Sequence, residues 1–170
     1  MVIELVAKLK TAEEFFEQFK SEDIKIEEIL LDALSNSKPE DRYKISKFLI
    51  ENGANVNEVD CEGYNALQVL LDRRNHVIEE TAILCKELIK RGVDINHKDK
   101  YGQVAFVYII RMNNFSDSEL EELYDVFLSQ DNLNLLDKDK FNNTPIEYAE
   151  GLPYREGIYE RMKKYVSQNR

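Results

Sequence analysis

Apolar residues recur three and four positions apart in several stretches of the chain, which is the spacing of one buried face of an α-helix. In the first stretch Phe15, Phe16 and Phe19 share a face, and Thr11 with Glu14 forms a capping-box pattern ahead of them. The pattern predicts amphipathic helices over residues 12–20, 23–35, 41–51, 81–91, 116–129 and 154–166. Shorter helices are predicted after residues 65, 104 and 144.

The residues between these helices repeat as well. Residues 53–57 read Gly-Ala-Asn-Val-Asn and precede Asp60 and Gly63; after 39 residues, 92–96 read Gly-Val-Asp-Ile-Asn and precede Asp99 and Gly102. Glycine at 53 and 92 predicts a positive φ at the end of each preceding helix. Self-similarity at such a period predicts a stacked helical repeat.

A third copy of the phrase is less complete. It contains Asn132, Asn134 and Asp139 and ends in a helix start at Thr144-Pro145. Two additional residues separate Asn134 from Asp139, which predicts a longer or distorted turn in this copy.

The predicted fold is all-α: a helical solenoid of about four helix-turn-helix repeats between two capping segments. We expect one domain over residues 1–170. Its parts are an N-terminal cap (1–22), repeats over 23–59, 60–98 and 99–138, and a fourth repeat with the C-terminal cap (139–170).

The repeated phrases resemble the ankyrin repeat, whose pattern runs Asp-x-x-Gly-x-Thr-Pro-Leu-His-x-Ala and closes on Gly-Ala-Asp-Val-Asn. The resemblance implies helix pairs joined by projecting turns called fingers. Thr-Pro is present only at 144–145, and Gln68, Val107 and Glu147 replace the histidine of the family pattern. We therefore expect weaker hydrogen bonding at the helix starts and an irregular stack.

Charge and composition restrict the partner and the compartment. The formal net charge is −10, from 33 acidic and 23 basic residues, which argues against direct binding of nucleic acid and favours a basic protein partner. No apolar run approaches the length of a membrane span, and the N-terminus lacks the pattern of a signal peptide. We expect a cytoplasmic protein, monomeric on its own, with Cys61 and Cys85 as reduced thiols.

Acidic residues are concentrated between positions 116 and 137, where Lys and Arg are absent. The candidate acidic patch is Asp117, Glu119, Glu121, Glu122, Asp125 and Asp131. Two interpretations are open: a binding surface for a basic partner, or a solvated helix face.

No pattern in the sequence indicates catalysis. There is no glycine-rich phosphate loop and no nucleophile elbow. His97 with Asp94 and Asp99 could be drawn as a metal site, but the aspartates have a structural role in the turns. We expect no enzymatic activity, no cofactor and no metal.

The ankyrin resemblance implies that finger tips and inner-helix faces form the binding surface. The positions that match are Glu58, Glu62, Tyr64, Gln68, His97, Lys98, Lys100, Tyr101, Gln103, Val107, Arg111 and Phe141. Tyr101 and Phe141 occupy the same repeat position, so they either serve as exposed anchors or pack on neighbouring fingers.

Two functions fit these features. The first is an acidic inhibitor that occludes a basic partner such as a toxic enzyme, since small acidic proteins of this kind look like bacterial immunity proteins. The alternative is an adaptor or host-directed effector that joins two proteins through separate surfaces.

Overall fold

The computed structural model describes residues 1–21, 26 and 28–169 of the chain. Throughout these residues the fold is all-α and repeat-like, as predicted, with an isolated β-bridge between Val59 and Asn65 in place of strands. The predicted start of the first repeat at residue 23 lies outside the described residues.

The chain divides into two compact units, Met1–Asp94 and Ile95–Arg170. The first contains α1 (Ile3–Leu9), α2 (Ala12–Ser21), α3 (Leu30–Leu34), α4 (Pro39–Glu51), α5 (Ala66–Leu71) and α6 (Ile78–Lys90). The second contains α7 (Ala105–Ile110), α8 (Glu121–Leu128), α9 (Pro145–Glu150), a 3-10 turn (Pro153–Arg155) and α10 (Glu156–Gln168). The single domain and its repeat boundaries stay a prediction.

The first unit begins with a helix that the apolar pattern did not predict. Helix α1 buries Ile3, Val6 and Ala7 and packs against α3. Helix α2 follows as predicted, and Glu14 accepts a hydrogen bond from the Thr11 amide at 3.0 Å.

Three finger turns share one hydrogen-bond design. Asp60 Oδ1 accepts from the amides of Glu62 and Tyr64, each at 2.9 Å. Asp99 accepts from Tyr101 and Gln103 in the second turn, and Asp139 from Phe141 and Asn143 in the third. The aspartate of the repeated phrase therefore fixes each turn by binding two of its amides.

Positive φ angles occur where the repeated phrase predicts them. Gly53 and Gly92 have φ of 94° and 92° at the ends of α4 and α6. In the turns, Gly63 and Gly102 are matched in the third copy by Asn142, whose φ is 64°. Asparagine adopts this left-handed region more readily than other side-chain-bearing residues do, so the third turn keeps its geometry without glycine.

The two additional residues of the third copy lie before its turn, so of the two predicted outcomes the segment is longer and the turn itself is not distorted. Asn134 Oδ1 accepts from the amides of Leu136 and Asp137 at 3.1 and 3.0 Å. The Asn134 amide donates to Asn96 Oδ1 at 2.8 Å. The chain is longer here, but the Asp139 turn keeps the hydrogen bonds of the other two.

Helix starts vary more than the turns. Thr144 with Glu147 forms a capping box at α9, and Asn65 with Gln68 forms the same box at α5. Val104 gives α7 no side-chain cap. Loss of the Thr-Pro pair therefore weakens the start of α7 but not that of α5, where asparagine replaces threonine as an equally good cap.

Candidate binding surfaces

A groove of about 640 Å³ in the first unit is lined by residues of α1, α3, α5 and the first finger turn. We call it the acidic groove, because six carboxylates line it against two cations. The carboxylates are Glu28, Asp32, Glu58, Asp60, Glu62 and Asp72, and the cations are Lys8 and Arg73.

The two cations of the acidic groove are paired within it. Lys8 Nζ lies 3.5 Å from Asp32 Oδ1, and an Arg73 guanidinium nitrogen lies 3.3 Å from Asp72 Oδ2. Both pairs are partly exposed, so each contributes little stability. Six carboxylates against two cations leave the groove with an excess of negative charge.

The excess of negative charge affects the pKa of Glu58. Burial and the nearby carboxylates of Glu28 and Asp32 raise the pKa of Glu58. Apolar side chains adjoin it: Val59 is 48% exposed, and Leu31 and Val69 also line the groove. The groove thus combines negative charge with apolar contact area, which suits a cationic side chain with an aliphatic stem.

In the second unit, Tyr101 and Phe141 lie side by side on two finger turns. Their ring centroids are 6.0 Å apart with an interplanar angle of 27°. Tyr101 is 38% exposed and Phe141 58% exposed, so the rings pack on each other and still face solvent. The two rings therefore pack across neighbouring fingers, and their role as binding anchors stays a prediction.

Lysines are neighbours of both rings along the two finger turns. Lys100 Nζ lies 5.0 Å from the centre of the Tyr101 ring. Lys98, also exposed, forms an ion pair with Asp137 at 2.7 Å, while His97 is half-buried.

A polar network supports this surface from below. Gln103 Nε2 donates to Asp139 Oδ2 and to the Tyr148 hydroxyl oxygen, both at 2.9 Å. Arg111 donates to Gln103 Oε1 at 2.9 Å and its guanidinium lies over the Tyr148 ring. Partial burial of Asp139 opposes its ionisation, but hydrogen bonds from Tyr148, Gln103 and the turn amides outweigh it and lower the pKa of Asp139.

Three predicted contact residues are buried, which corrects their assignment. Gln68 has no exposed area because it completes the capping box of α5, and Gln103 is 3% exposed within its network. Val107 is 1% exposed in the core of the second unit. Of the other predicted positions, Glu58 and Tyr64 are half-buried, while Glu62 and Arg111 are exposed.

The acidic patch predicted over 117–131 is partly used inside the protein. Asp117 accepts from buried Arg155 and from the Tyr124 hydroxyl group, so it is a structural residue. Glu119 accepts from the Ser116 amide, and Asp125 pairs with Arg161. Of the other acids of the patch, Glu121 and Glu122 lie in the first turn of α8, and Glu121 and Asp131 are exposed.

Only two carboxylates of the acidic groove, Glu58 and Glu62, were predicted as contact residues from the sequence. The other four are Glu28, Asp32, Asp60 and Asp72. Asp32 belongs to α3 and Asp72 follows α5. Helical periodicity separates buried from exposed positions but does not show which exposed carboxylates of different helices meet.

Among the described residues, no group of three or more His, Cys, Asp or Glu side chains is placed to hold a metal ion. In the same residues, no helix is long and apolar enough to cross a membrane.

A solved structure of similar fold covers almost the whole chain. It is the crystal structure of a functionally unknown protein from Leptotrichia buccalis, with a TM-score of 0.86 and 32% identity over 98% of this chain and 93% of that one. No protein-family model matches the chain.

A curated protein of Acanthamoeba polyphaga mimivirus, "Putative ankyrin repeat protein", is 32% identical over 74 residues. Part of this chain is similar to an ankyrin repeat protein. The match spans 42% of this chain and 44% of that protein. It agrees with the ankyrin resemblance of the repeated phrases, and a protein-interaction module is the function that it suggests.

Proposed function

We propose that this protein is a non-catalytic, cytoplasmic binding module, monomeric on its own, that recognises a basic protein partner through the acidic groove. The observation that carries the proposal is the groove itself, in which six carboxylates and two cations line about 640 Å³ beside exposed Val59. Similarity to an ankyrin repeat protein over part of the chain supports an interaction role.

The chemistry of Glu58 gives a reason for binding to be favourable. Its carboxylate is held near Glu28 and Asp32 in a partly buried position, and its pKa is raised. A lysine or arginine placed between these carboxylates relieves their repulsion and favours the ionised form of Glu58. Opposite charge also accelerates the encounter and selects against acidic partners.

The affinity of the acidic groove for a basic segment should depend on pH and on salt concentration. Affinity for a basic segment rises with pH as Glu58 ionises, because the charged form binds the cation more strongly. Added salt weakens the complex, since the groove is open to solvent and its charges are screened.

A binding experiment with a matched control tests the groove. A fluorescent lysine- and arginine-rich peptide is titrated with the parent protein, with Glu58→Lys/Glu62→Lys and with Glu121→Lys/Glu122→Lys on α8. The two variants change the net charge equally. We expect the groove variant to lose about tenfold or more in affinity and the α8 variant to lose about threefold or less. Equal losses would show that only net charge matters and would overturn the groove assignment.

We propose that this binding inhibits the partner. The module would occlude a basic toxic enzyme in the manner of an immunity protein. Capture from lysate at low salt with the parent protein and the groove variant identifies the partner. Its activity is then assayed with and without the module. Loss of activity supports the inhibitor, and retained activity in a complex supports an adaptor.

An adaptor function is the second candidate, because the second unit carries a surface of different charge. The Tyr101–Phe141 surface of the second unit carries lysines rather than carboxylates at its tips. It therefore suits a different partner from the one that the acidic groove attracts.

A further inference from the structure

The two finger turns of the second unit carry the same five-residue motif. Residues 98–102 read Lys-Asp-Lys-Tyr-Gly and residues 138–142 read Lys-Asp-Lys-Phe-Asn. The corresponding residues of the first unit, 59–63, read Val-Asp-Cys-Glu-Gly. Lysines on both sides of the turn aspartate, followed by an aromatic residue, thus occur at two of the three turns.

The turn geometry brings these motifs together at one surface. Lys140 donates its backbone amide to the Tyr101 carbonyl oxygen at 2.8 Å, which joins the two tips. The rings of Tyr101 and Phe141 stack at 6.0 Å, and Lys100 lies over Tyr101. Four exposed lysines accompany the pair: Lys98, Lys100, Lys138 and Lys140. We call this surface the lysine–aromatic face.

The two aspartates of the motif use their carboxylates for hydrogen bonds within the protein. Asp99 Oδ1 binds the Tyr101 and Gln103 amides, and its Oδ2 accepts from the Tyr108 hydroxyl group. Asp139 is used in the same way by its turn amides and by Tyr148. The oxygens of both aspartates are occupied inside the protein, whereas the four lysines are exposed. Two of the lysines also have partners at the surface, because Lys98 pairs with Asp137 and Lys138 donates to Asn142 Oδ1.

The backbone that carries the aromatic pair is fixed by hydrogen bonds. Backbone bonds of the Asp99 and Asp139 turns fix both tips, and the Gln103 network ties the second tip to α9. A preorganised aromatic surface loses little conformational entropy on binding, and exposed aromatic residues are frequent anchors of protein interfaces.

We infer that the lysine–aromatic face binds an acidic protein segment in which carboxylates flank an apolar side chain. The apolar side chain packs on the exposed edges of Tyr101 and Phe141, and the carboxylates pair with the surrounding lysines. A protein segment is favoured over nucleic acid because it carries fewer negative charges than a polyphosphate, so the net charge of −10 repels it less. This inference concerns a different surface from the acidic groove and does not depend on it.

The test uses defined peptides with the full chain. A fluorescein-labelled peptide with glutamates flanking a central tryptophan is titrated by fluorescence polarisation. Parallel titrations use the same peptide with alanine for tryptophan, the same peptide with lysines for glutamates, and an oligo-thymidine strand. We expect the acidic tryptophan peptide to bind tightest of the four and to weaken as salt is raised.

Variants connect the binding to the named residues. Tyr101→Ala/Phe141→Ala and Lys100→Glu/Lys140→Glu should each lower the affinity about tenfold or more. Tyr101→Phe keeps the ring and should stay within about threefold of the parent. Lys163→Glu/Lys164→Glu on α10 gives the same charge change as the lysine variant and should have little effect. Circular dichroism of each variant checks that the helices are retained.

Several results would overturn the inference. These are tighter binding of oligo-thymidine, equal binding of the alanine peptide, and equal losses from the α10 control and the face variant. Sedimentation showing self-association that Lys100→Glu/Lys140→Glu abolishes would assign the face to a second copy of the chain. The Glu58→Lys/Glu62→Lys variant should bind the acidic peptide like the parent, which separates failure of this inference from failure of the groove proposal.

Discussion

Arg155 and Asp117 form an ion pair inside the second unit, although 38 residues separate them in the sequence. The Arg155 side chain has no exposed area, and its Nη1 lies 3.1 Å from Asp117 Oδ1. Arg155 also donates to the carbonyl oxygens of Ile110, Met112 and Phe115. The charge of Arg155 is buried only because these groups surround it.

Asp117→Ala should destabilise the protein by about 2–3 kcal/mol, because it leaves a buried guanidinium without its counter-charge. Asp117 Oδ2 also accepts from the Ile158 amide at the start of α10, and that bond is lost too. Urea unfolding measures the change. Asp125→Ala removes an exposed partner of Arg161 and should cost less than about 1 kcal/mol; a similar cost for both variants would contradict the structural role of Asp117.

Gly92→Ala should cost about 1 kcal/mol through backbone strain alone, since φ is 92° and a Cβ there would meet nothing within 4 Å. Gly92→Val should cost about 1–2 kcal/mol. Gly102→Ala should cost more than Gly92→Ala, because its Cβ would lie 3.3 Å from the Asp139 Cα. Thermal melting compares the variants. A Gly92→Ala protein that melts like the parent would show that the helix does not end there.

His76 should make the protein less stable in mild acid. Burial and the nearby Arg42 lower the pKa of His76 from 6.5 to about 4. Its Nε2 donates to the Arg73 carbonyl oxygen at 2.7 Å, which by itself favours the protonated ring, but burial outweighs this bond and the net effect is a lowered pKa. The unfolded chain takes up the proton first. The stabilising contribution is therefore complete above about pH 6.5 and is lost as the pH falls towards 4.

The slope from this single group is at most about 1.4 kcal/mol per pH unit. His76→Gln keeps an N–H donor but cannot titrate. We expect the difference in unfolding free energy between pH 7 and pH 5 to be smaller in this variant than in the parent. An unchanged difference would mean that other groups produce the acid sensitivity.

The two thiols should react at very different rates. Cys61 is exposed in the first finger turn, whereas Cys85 is buried in α6 and burial raises its pKa. Ellman's reagent should therefore label one thiol in the native protein and both in denaturant. Cys61→Ser should remove the native reaction. Rapid labelling of Cys85 in the folded protein would show that α6 opens readily.

The finger turns could be predicted from the sequence because their information is local. Asp60, Gly63 and their repeats specify a turn within five residues, and the observed φ angles follow. Asn142 shows that the same turn survives a change of residue when the substitute tolerates positive φ.

The binding surfaces could be predicted only in part, because they depend on contacts between distant residues. Gln68 and Gln103 are polar and match surface positions of the family, yet both are buried by their hydrogen bonds. Asp117 appears in the sequence as one more acid of an acidic stretch. Its partner Arg155 follows in a separate element, and no local pattern joins the two.

The side chain of Asn134 has a practical consequence for work with this protein. Its Oδ1 accepts hydrogen bonds from the Leu136 and Asp137 amides and so holds the longer segment of the third copy in place. The Asp139 turn that follows keeps its hydrogen bonds. Leu136 is 47% exposed, so the segment between Asn134 and Asp139 is accessible from outside. Changes of length are already accommodated there. It is a position at which to insert an epitope tag or a labelling site without disturbing the acidic groove, whose lining residues all belong to the first unit.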